Sequence, residues 1–228
     1  MSLVESLRGG LIVSVQAWPG SALDDPQVIA AMARAAQDGG AVAVRVEGVA
    51  DLRAVRARVS VPIVGLIKRE YPGFEPYITP CLAEIGAVAG AGAEIVAFDA
   101  TQRPRPDGGG VADAVAAIHA AGCLAFADCA TEEDGLRARE AGSDIVATTL
   151  CGYTAGTHGR TLPAYDLLGA LVRLGAFAVC EGGVHSPAEL RAAFETGAAA
   201  VVVGTAITNV DWLVREFAGS ALTEPKPH

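Results

Sequence analysis

Lys68 stands at the end of an apolar run, in the stretch VGLIKREYPG (residues 64–73), and Lys226 is the only other lysine of the chain. Every other positive side chain among the 17 Lys and Arg residues is an arginine, so arginine serves where charge alone is needed. A lysine that is desolvated or close to another cation loses its proton more easily, whereas arginine stays protonated. We therefore predict that Lys68 acts as a general base or a Schiff-base nucleophile. The alternative is a structural ion pair or an exposed strand end.

Acidic residues end three other apolar runs. Glu181 stands in AVCEGGVH, where a buried carboxylate can bind a substrate or pass a proton. The alternative is a salt bridge from Glu181 to Arg45 or Lys68 that only holds structure together, and the two roles are compatible. Asp128 and Asp99 are weaker candidates, because an aspartate after a strand is often a helix cap or a loop residue.

The elements that must position these residues recur along the chain. Eight short apolar runs are each followed by an Ala/Leu-rich helical segment that often closes on glycine. The runs are LIVSVQA (11–17), AVAVRVEG (41–48), PIVGLIKR (62–69), EIVAFDAT (94–101), CLAFADCAT (123–131), DIVATTLCGYT (144–154), FAVCEGG (177–183) and AVVVGTAIT (200–208). Asp25-Pro26 and Ser186-Pro187 have the residue order of a helix start, a cap residue followed by proline.

Alternating strands and helices indicate parallel βαβ units, and eight units in about 200 residues predict a single (β/α)₈ barrel. A doubly wound open sheet is the alternative, but no G-x-G-x-x-G follows the first run. We expect one catalytic barrel domain over residues 1–219 and a flexible C-terminal tail over residues 220–228. Active sites of such barrels lie where the strands end, so the polar residues that close each run are the candidates.

Strand alternation links each candidate to the side chains below it. If Lys68 points into the barrel, so do Val64 and Leu66, and the same parity applies below Glu181 and Asp128. Each ionisable group would then stand above large apolar side chains and close to other charges. These conditions shift pKa values toward catalytic use.

The runs that form strands seven and eight end in glycine. The loops there commonly bind phosphate in these barrels, because glycine lets backbone N–H groups approach an anion. We expect phosphate binding by the residues that close these two runs. They are Gly182, Gly183, Gly204 and Thr205.

Composition excludes several classes of protein. The net charge is −9 with no basic cluster, so we expect no nucleic-acid partner. No apolar run reaches the ~18 residues that span a membrane, and the N-terminus resembles no signal peptide. Five cysteines without CxxC spacing and four scattered histidines predict no disulfide framework and no metal site. We expect a cytoplasmic protein, and its Ala-rich outer helices are compatible with a homodimer.

Seven motifs in order, with barrel spacing, resemble the N-acetylmannosamine-6-phosphate 2-epimerase family from about Leu7 to Phe217. They are GLIVSVQA, VGLIKR with YITP downstream, IVAFDAT, ADCAT, DIVATTLCGYT, EGG and VVVGTAIT. The resemblance implies a (β/α)₈ barrel of bacterial sialic-acid breakdown. It would interconvert N-acetylmannosamine 6-phosphate and N-acetylglucosamine 6-phosphate without metal or organic cofactor.

The resemblance also implies roles for individual residues. Lys68 would move the proton at C2 of the sugar, with Glu181 as its catalytic partner. The residues expected to bind the substrate are Gln16, Arg45, Asp128, Thr149 and Tyr153. Gly183 and Asn209 depart from the family, which often carries arginine at both positions, and Arg160 is a cation that could compensate.

Two other functions fit the same residues. An aldolase- or lyase-like barrel would use Lys68 as a Schiff base. A non-catalytic barrel would bind a phosphosugar without turning it over.

Overall fold

The computed structural model describes residues 2–221, which form eight strands alternating with helices. The strands are β1 (Leu11–Val15), β2 (Ala43–Glu47), β3 (Ile63–Leu66), β4 (Ile95–Asp99), β5 (Leu124–Asp128), β6 (Ile145–Ala147), β7 (Ala178–Glu181) and β8 (Ala200–Val203). Each strand pairs in parallel with the next, and β8 pairs with β1, so the sheet is a closed barrel. The predicted (β/α)₈ barrel is confirmed, and the open-sheet alternative is wrong.

Helices precede β1, connect successive strands and follow β8. They are α1 (Leu3–Ser6), α2 (Pro26–Asp38), α3 (Val49–Arg56), α4 (Leu82–Gly90), α5 (Val111–Ala120), α6 (Glu132–Glu140), α7 (Tyr165–Arg173), α8 (Pro187–Thr196), α9 (Thr205–Thr208) and α10 (Val210–Gly219). The predicted starts of α2 and α8 are confirmed. The Asp25 carboxylate accepts from Gln27 and Val28 N–H, and the Ser186 hydroxyl accepts from Glu189 N–H.

The strands are shorter than the apolar runs that predicted them. β3 ends at Leu66, two residues before Lys68, and β6 ends at Ala147. Beyond these points the chain leaves the ladder of its neighbours and forms loops at the C-terminal end of the barrel. The polar ends of the runs therefore lie in these loops, which is where a barrel of this class carries its site.

Alternation divides the buried residues into two layers. One apolar cluster fills the barrel and contains Val64, Leu66, Phe126 and Val179. The other lies between the strands and the helices. The parity predicted below Lys68, Asp128 and Glu181 is therefore confirmed.

α10 ends at Gly219. Of the predicted tail, residues 222–228 lie outside the part of the chain that the structure describes. Within residues 2–221, no helix combines the length and apolar character needed to cross a bilayer.

Candidate active site

The candidate residues share one face of the barrel wall at the C-terminal ends of the strands, here called the barrel mouth. They continue the inward parity of successive strands, either on the strand itself or one or two residues beyond its end. They are Gln16, Arg45, Glu47, Lys68, Asp99, Asp128, Thr149, Glu181 and Gly204.

Arg45 joins two carboxylates across the interior of the mouth. Its Nη1 and Nη2 donate to Asp128 Oδ1 and Oδ2 at 3.2 and 2.8 Å. Nη1 also lies 3.1 Å from Glu181 Oε2. Arg45 and Asp128 are fully buried, and the Arg45 guanidinium stacks over the Phe126 ring at 5.1 Å. One cation thus faces two acids, which leaves one negative charge in excess when both are ionised.

The Thr149 hydroxyl lies between the same two carboxylates. Its Oγ1 is 2.6 Å from Asp128 Oδ1 and 3.0 Å from Glu181 Oε2. A hydroxyl has one proton to donate, so both contacts are hydrogen bonds only when one of the two acids donates to Thr149. The neighbouring Thr148 hydroxyl donates to the Glu181 carbonyl and accepts from the Glu181 N–H, which fixes the backbone of Glu181.

Of the two acids, Glu181 is the one that holds a proton more readily. Burial raises the pKa of Glu181 to about 7. The charge of Asp128 also raises this pKa, and the charge of Arg45 lowers it. Burial also raises the pKa of Asp128, although the paired Arg45 and the Thr149 hydrogen bond oppose it. Asp128 holds both Nη atoms of Arg45, so it remains ionised in preference to Glu181. Glu181 is therefore a carboxyl that can give or take a proton near neutral pH.

Lys68 stands on the other side of the mouth, after β3. Its Nζ donates to Gln16 Oε1 at 2.6 Å, and Gln16 Nε2 donates to the Ser14 hydroxyl at 2.8 Å. Burial lowers the pKa of the Lys68 ammonium, and the Arg45 charge lowers it further. Glu47, Glu181 and Asp128 oppose this shift. Lys68 as a residue is exposed at the mouth, so its amine can reach a bound substrate.

Asp99 belongs to a different arrangement. Its Oδ1 accepts from the Thr101 N–H and hydroxyl, and its Oδ2 pairs with Arg103 at 2.6 Å. Arg105 donates to the Asp99 carbonyl at 2.7 Å and to the Thr79 carbonyl at 2.8 Å. These contacts hold the loop after β4 against the loop after β3, so Asp99 is a loop anchor.

The expected phosphate-binding residues lie together after β7 and β8. Gly182 and Gly183 have φ of 104° and 74°, the left-handed region that favours glycine. A Cβ at Gly183 would overlap the Leu162 Cβ, and one at Gly204 would lie 3.1 Å from the Ser14 Cβ. Thr205 begins α9. The loop before α7 thus fills the space that a side chain at residue 183 would need.

The side chains of Asn209 and Arg160, considered from the sequence for phosphate binding, are engaged in other contacts. The Asn209 side-chain oxygen accepts from the Trp212 N–H at the start of α10. Arg160 is exposed and lies 3.3 Å from Asp166, on α7. Backbone N–H groups are therefore the donors that the glycine loops offer to an anion.

Two tyrosines border the site. Tyr153 is 58% exposed, and its Cε2 would lie 4.0 Å from a Cβ at Gly182. Burial raises the pKa of Tyr77, as do the charges of Asp128 and Asp99, so its phenol stays protonated. Tyr77 belongs to the motif YITP, but no role for it was expected from the sequence. It lies in the loop after β3, beyond the strand end at Leu66, where no periodic pattern indicates which way a side chain points.

Among residues 2–221, no three His, Cys, Asp or Glu side chains are grouped so as to hold a metal ion. The five cysteines, all within this range, are free and buried.

The fold and the mouth define a (β/α)₈ barrel that carries a lysine and a protonatable carboxyl equipped for proton transfer. A family model described as "Putative N-acetylmannosamine-6-phosphate epimerase" matches residues 29–222. This match spans more than half of the chain, so the chain belongs to that family.

Individual relatives agree with this assignment. The chain is 47% identical over 216 residues to a protein of Yersinia pseudotuberculosis serotype O:3 named "Putative N-acetylmannosamine-6-phosphate 2-epimerase", which covers 95% of this chain and 91% of the relative. A solved N-acetylmannosamine-6-phosphate 2-epimerase from Clostridium perfringens is 39% identical, with a TM-score of 0.93 and 97% of each chain covered. A thiamine phosphate pyrophosphorylase from Pyrococcus furiosus, at 14% identity and TM-score 0.60 over 97% of this chain and 100% of that one, shares the fold alone.

Proposed function

We propose that this protein interconverts N-acetylmannosamine 6-phosphate and N-acetylglucosamine 6-phosphate by moving the proton at C2, in amino-sugar and sialic-acid catabolism. The observation that carries the proposal is the pairing of two groups at one mouth. Lys68 has a lowered pKa, and Glu181 has a pKa raised to about 7. Family membership supports the same reaction.

The reaction needs a base on one side of C2 and an acid on the other. In the ring-opened sugar, C2 is next to the C1 carbonyl, so its hydrogen can be removed to give an enolate. The neutral Lys68 amine takes this proton, and the protonated Glu181 carboxyl returns its own proton to the opposite face of C2. The products are the inverted centre, a Lys68 ammonium and a Glu181 carboxylate, and the reverse reaction exchanges the two roles.

The enolate is stabilised by charge that already surrounds it. Once Lys68 has taken the proton, its ammonium and the fixed Arg45 guanidinium both stabilise the negative charge on the enolate oxygen. Gln16 orients the Lys68 amine through its 2.6 Å hydrogen bond. Asp128 and Thr149 hold Arg45 and Glu181 in place.

We assign the phosphate to the loops after β7 and β8. Backbone N–H groups of Gly182, Gly183 and Gly204, with the Thr205 hydroxyl, are its donors in this proposal. A backbone cradle supplies no arginine, so each lost charge-assisted hydrogen bond costs about 1.5–3 kcal/mol of binding relative to one that uses a guanidinium. We therefore expect a weak Kd for inorganic phosphate alone.

The direct test is to follow N-acetylmannosamine 6-phosphate by NMR with the purified protein. We expect N-acetylglucosamine 6-phosphate to appear. Thermal stabilisation by the sugar without any product would identify a non-catalytic binding barrel instead. A borohydride-trapped substrate adduct on Lys68 would identify a Schiff-base enzyme, since the epimerisation needs no imine.

We further propose a cytoplasmic homodimer. Five free buried cysteines are typical of a reducing compartment.

The apolar face of α10 supports the homodimer. Its residues Val210, Val214 and Phe217 are 48, 59 and 77% exposed. An apolar stripe of this kind on an outer helix is typical of a self-complementary interface. Light scattering of the purified chain should give twice the monomer mass, and Phe217→Glu should give a monomer.

A further inference from the structure

A cleft of about 610 Å³ opens beside the mouth, on the side of β3 and β4. Loops after β3, β4 and β6 form its walls. Its lining residues are Glu70, Tyr71, Pro72, Phe74, Glu75, Tyr77, Arg103, Tyr153 and Ala155. Neither Lys68 nor Glu181 lines it, so it is a space adjacent to the site and not the site itself.

Tyr77 and Tyr153 connect the cleft with the mouth. Tyr77 is close enough to Asp128, Asp99 and Arg45 for their charges to act on its phenol. Tyr153 lies beside Gly182 at the end of β7. Both tyrosines also line the cleft. A substrate held in the mouth therefore meets the cleft at these two side chains.

The order of strands determines which part of the substrate faces the cleft. In the closed barrel β1 to β8, β3 and β4 lie across the mouth from β7 and β8. The proposed function holds the C6 phosphate after β7 and β8 and the C2 carbon at Lys68, after β3. C2 and C6 are at opposite ends of the hexosamine, so the substituent on the C2 nitrogen continues away from the phosphate, toward the loops after β3 and β4.

We propose that the N-acyl group of the substrate lies in this cleft, and that the protein accepts neutral N-acyl groups longer than acetyl. This inference rests on the proposed epimerase function. An acetyl group is small beside a space of about 610 Å³ that is open to solvent. Additional carbons would lie against Phe74, Pro72 and the ring of Tyr71 rather than meet a closed wall.

The charges that line the cleft determine which charge the acyl group of a substrate can carry. Arg103 is already paired, at 2.6 Å with Asp99 and at 3.5 Å with Glu75. Glu70 adds a second exposed carboxylate to the lining. One paired cation against these acids leaves the cleft negative, so an acyl group that ends in a carboxylate is repelled. A hydroxylated acyl group stays neutral and is accepted.

The test is kcat/KM for a series of N-acylmannosamine 6-phosphates. A pocket that fits acetyl closely rejects one additional methylene by about 10-fold to 200-fold. We expect the N-propanoyl, N-butanoyl and N-glycolyl substrates to stay within about 10-fold of N-acetyl, and the N-succinyl substrate to lose more than about 10-fold. A progressive loss of more than about 10-fold per methylene would overturn the inference. Absent turnover of the N-acetyl substrate itself would instead reject the epimerase function, and this inference with it.

A substitution in the cleft gives a second test. Ala155 is exposed, so Ala155→Phe fills the cleft without disturbing the core. We expect the butanoyl-to-acetyl ratio of kcat/KM to fall at least about 10-fold in this variant. The matched control is Ala116→Phe, at an exposed position of α5, which should leave the ratio unchanged. An unchanged ratio in Ala155→Phe would show that the acyl group lies elsewhere.

Discussion

Asp99 and Asp128 occupy paired positions at the ends of β4 and β5, and both are fully buried. Their partners nevertheless come from different directions. The donors to the Asp99 carboxylate, Thr101 and Arg103, follow it in its own loop. The donors to Asp128 come from elsewhere in the barrel, Arg45 from β2 and Thr149 from the loop after β6.

This difference separates a structural carboxylate from one of the candidate active site. The Asp99 carboxylate is bonded within its own loop and shares no hydrogen-bond partner with Asp128 or Glu181. Asp128 is bonded to the same guanidinium and the same hydroxyl as Glu181, so its charge acts on the proton that Glu181 carries. The origin of the partners, rather than burial or position on the strand, distinguishes the two roles.

The largest difference between the two aspartates is expected when each is neutralised in turn. In Asp128→Asn, Arg45 turns to Glu181 as its remaining anion, which lowers the Glu181 pKa and removes the proton donor. We expect kcat/KM to fall by about 100-fold to 10,000-fold, the usual contribution of an acid–base group. Asp99→Asn should reduce kcat/KM by less than about 10-fold, because it touches no acid–base group.

The free energy of unfolding of the Asp128→Asn and Asp99→Asn variants is the control for their activities. Removing one partner of a buried ion pair costs up to about 3–5 kcal/mol, so both variants should unfold at lower urea concentration. A folded Asp99→Asn variant that loses as much activity as Asp128→Asn would contradict the distinction between the two carboxylates.

A smaller effect is expected from the hydroxyls that bond to each aspartate. Thr149→Val removes the group shared by Asp128 and Glu181, and Thr101→Val removes the group that bonds Asp99. Each loses about 0.5–1.5 kcal/mol of stability. Only Thr149→Val should also shift the acid limb of the pH–rate profile, because the hydrogen bond between Thr149 and Glu181 acts on the Glu181 pKa. Identical pH profiles for Thr149→Val and the unmodified protein would show that Thr149 only supports structure.

A further prediction concerns stability against pH. Glu181 has a folded pKa of about 7 against its ordinary value of 4.5, so the folded chain holds a proton that the unfolded chain releases. The stability that this proton supplies is complete below pH 4.5 and is lost as pH rises through about 7. Glu181→Gln keeps a neutral side chain, so its free energy of unfolding should decline less over that range.

Urea unfolding at the two ends of this range measures the difference. Glu195→Gln, at an exposed glutamate on α8, is the matched control for loss of one carboxylate and should follow the unmodified protein. An equal decline in Glu181→Gln would mean that Glu181 holds no such proton.

The fold could be predicted from the sequence because it depends on a repeated pattern. Eight apolar runs and the caps at Asp25 and Ser186 each carry a local signal, and all of them agree. The same alternation predicted the inward parity of Lys68 and Glu181. Strand ends were overestimated, since a run such as PIVGLIKR continues through Ile67 to its polar end although β3 ends at Leu66.

The partners of each polar residue could not be predicted, because they depend on loop conformation. Asp99 and Asp128 look alike in the sequence, and only the course of the loop after β4 brings Arg103 back to Asp99. Thr149 was expected to bind substrate, and its place between two carboxylates had no sequence signal. Glycine at residue 183 is accounted for by Leu162, which precedes α7 and comes close only after folding.

The proposed exchange of the C2 proton by Lys68 is measured directly by deuterium incorporation. The protein, incubated with N-acetylmannosamine 6-phosphate in deuterated water, should place deuterium at C2 of both sugars. Lys68→Arg keeps the positive charge but cannot act as a base, so the folded variant should incorporate none. Deuterium at C2 with Lys68→Arg at the unmodified rate would contradict the account.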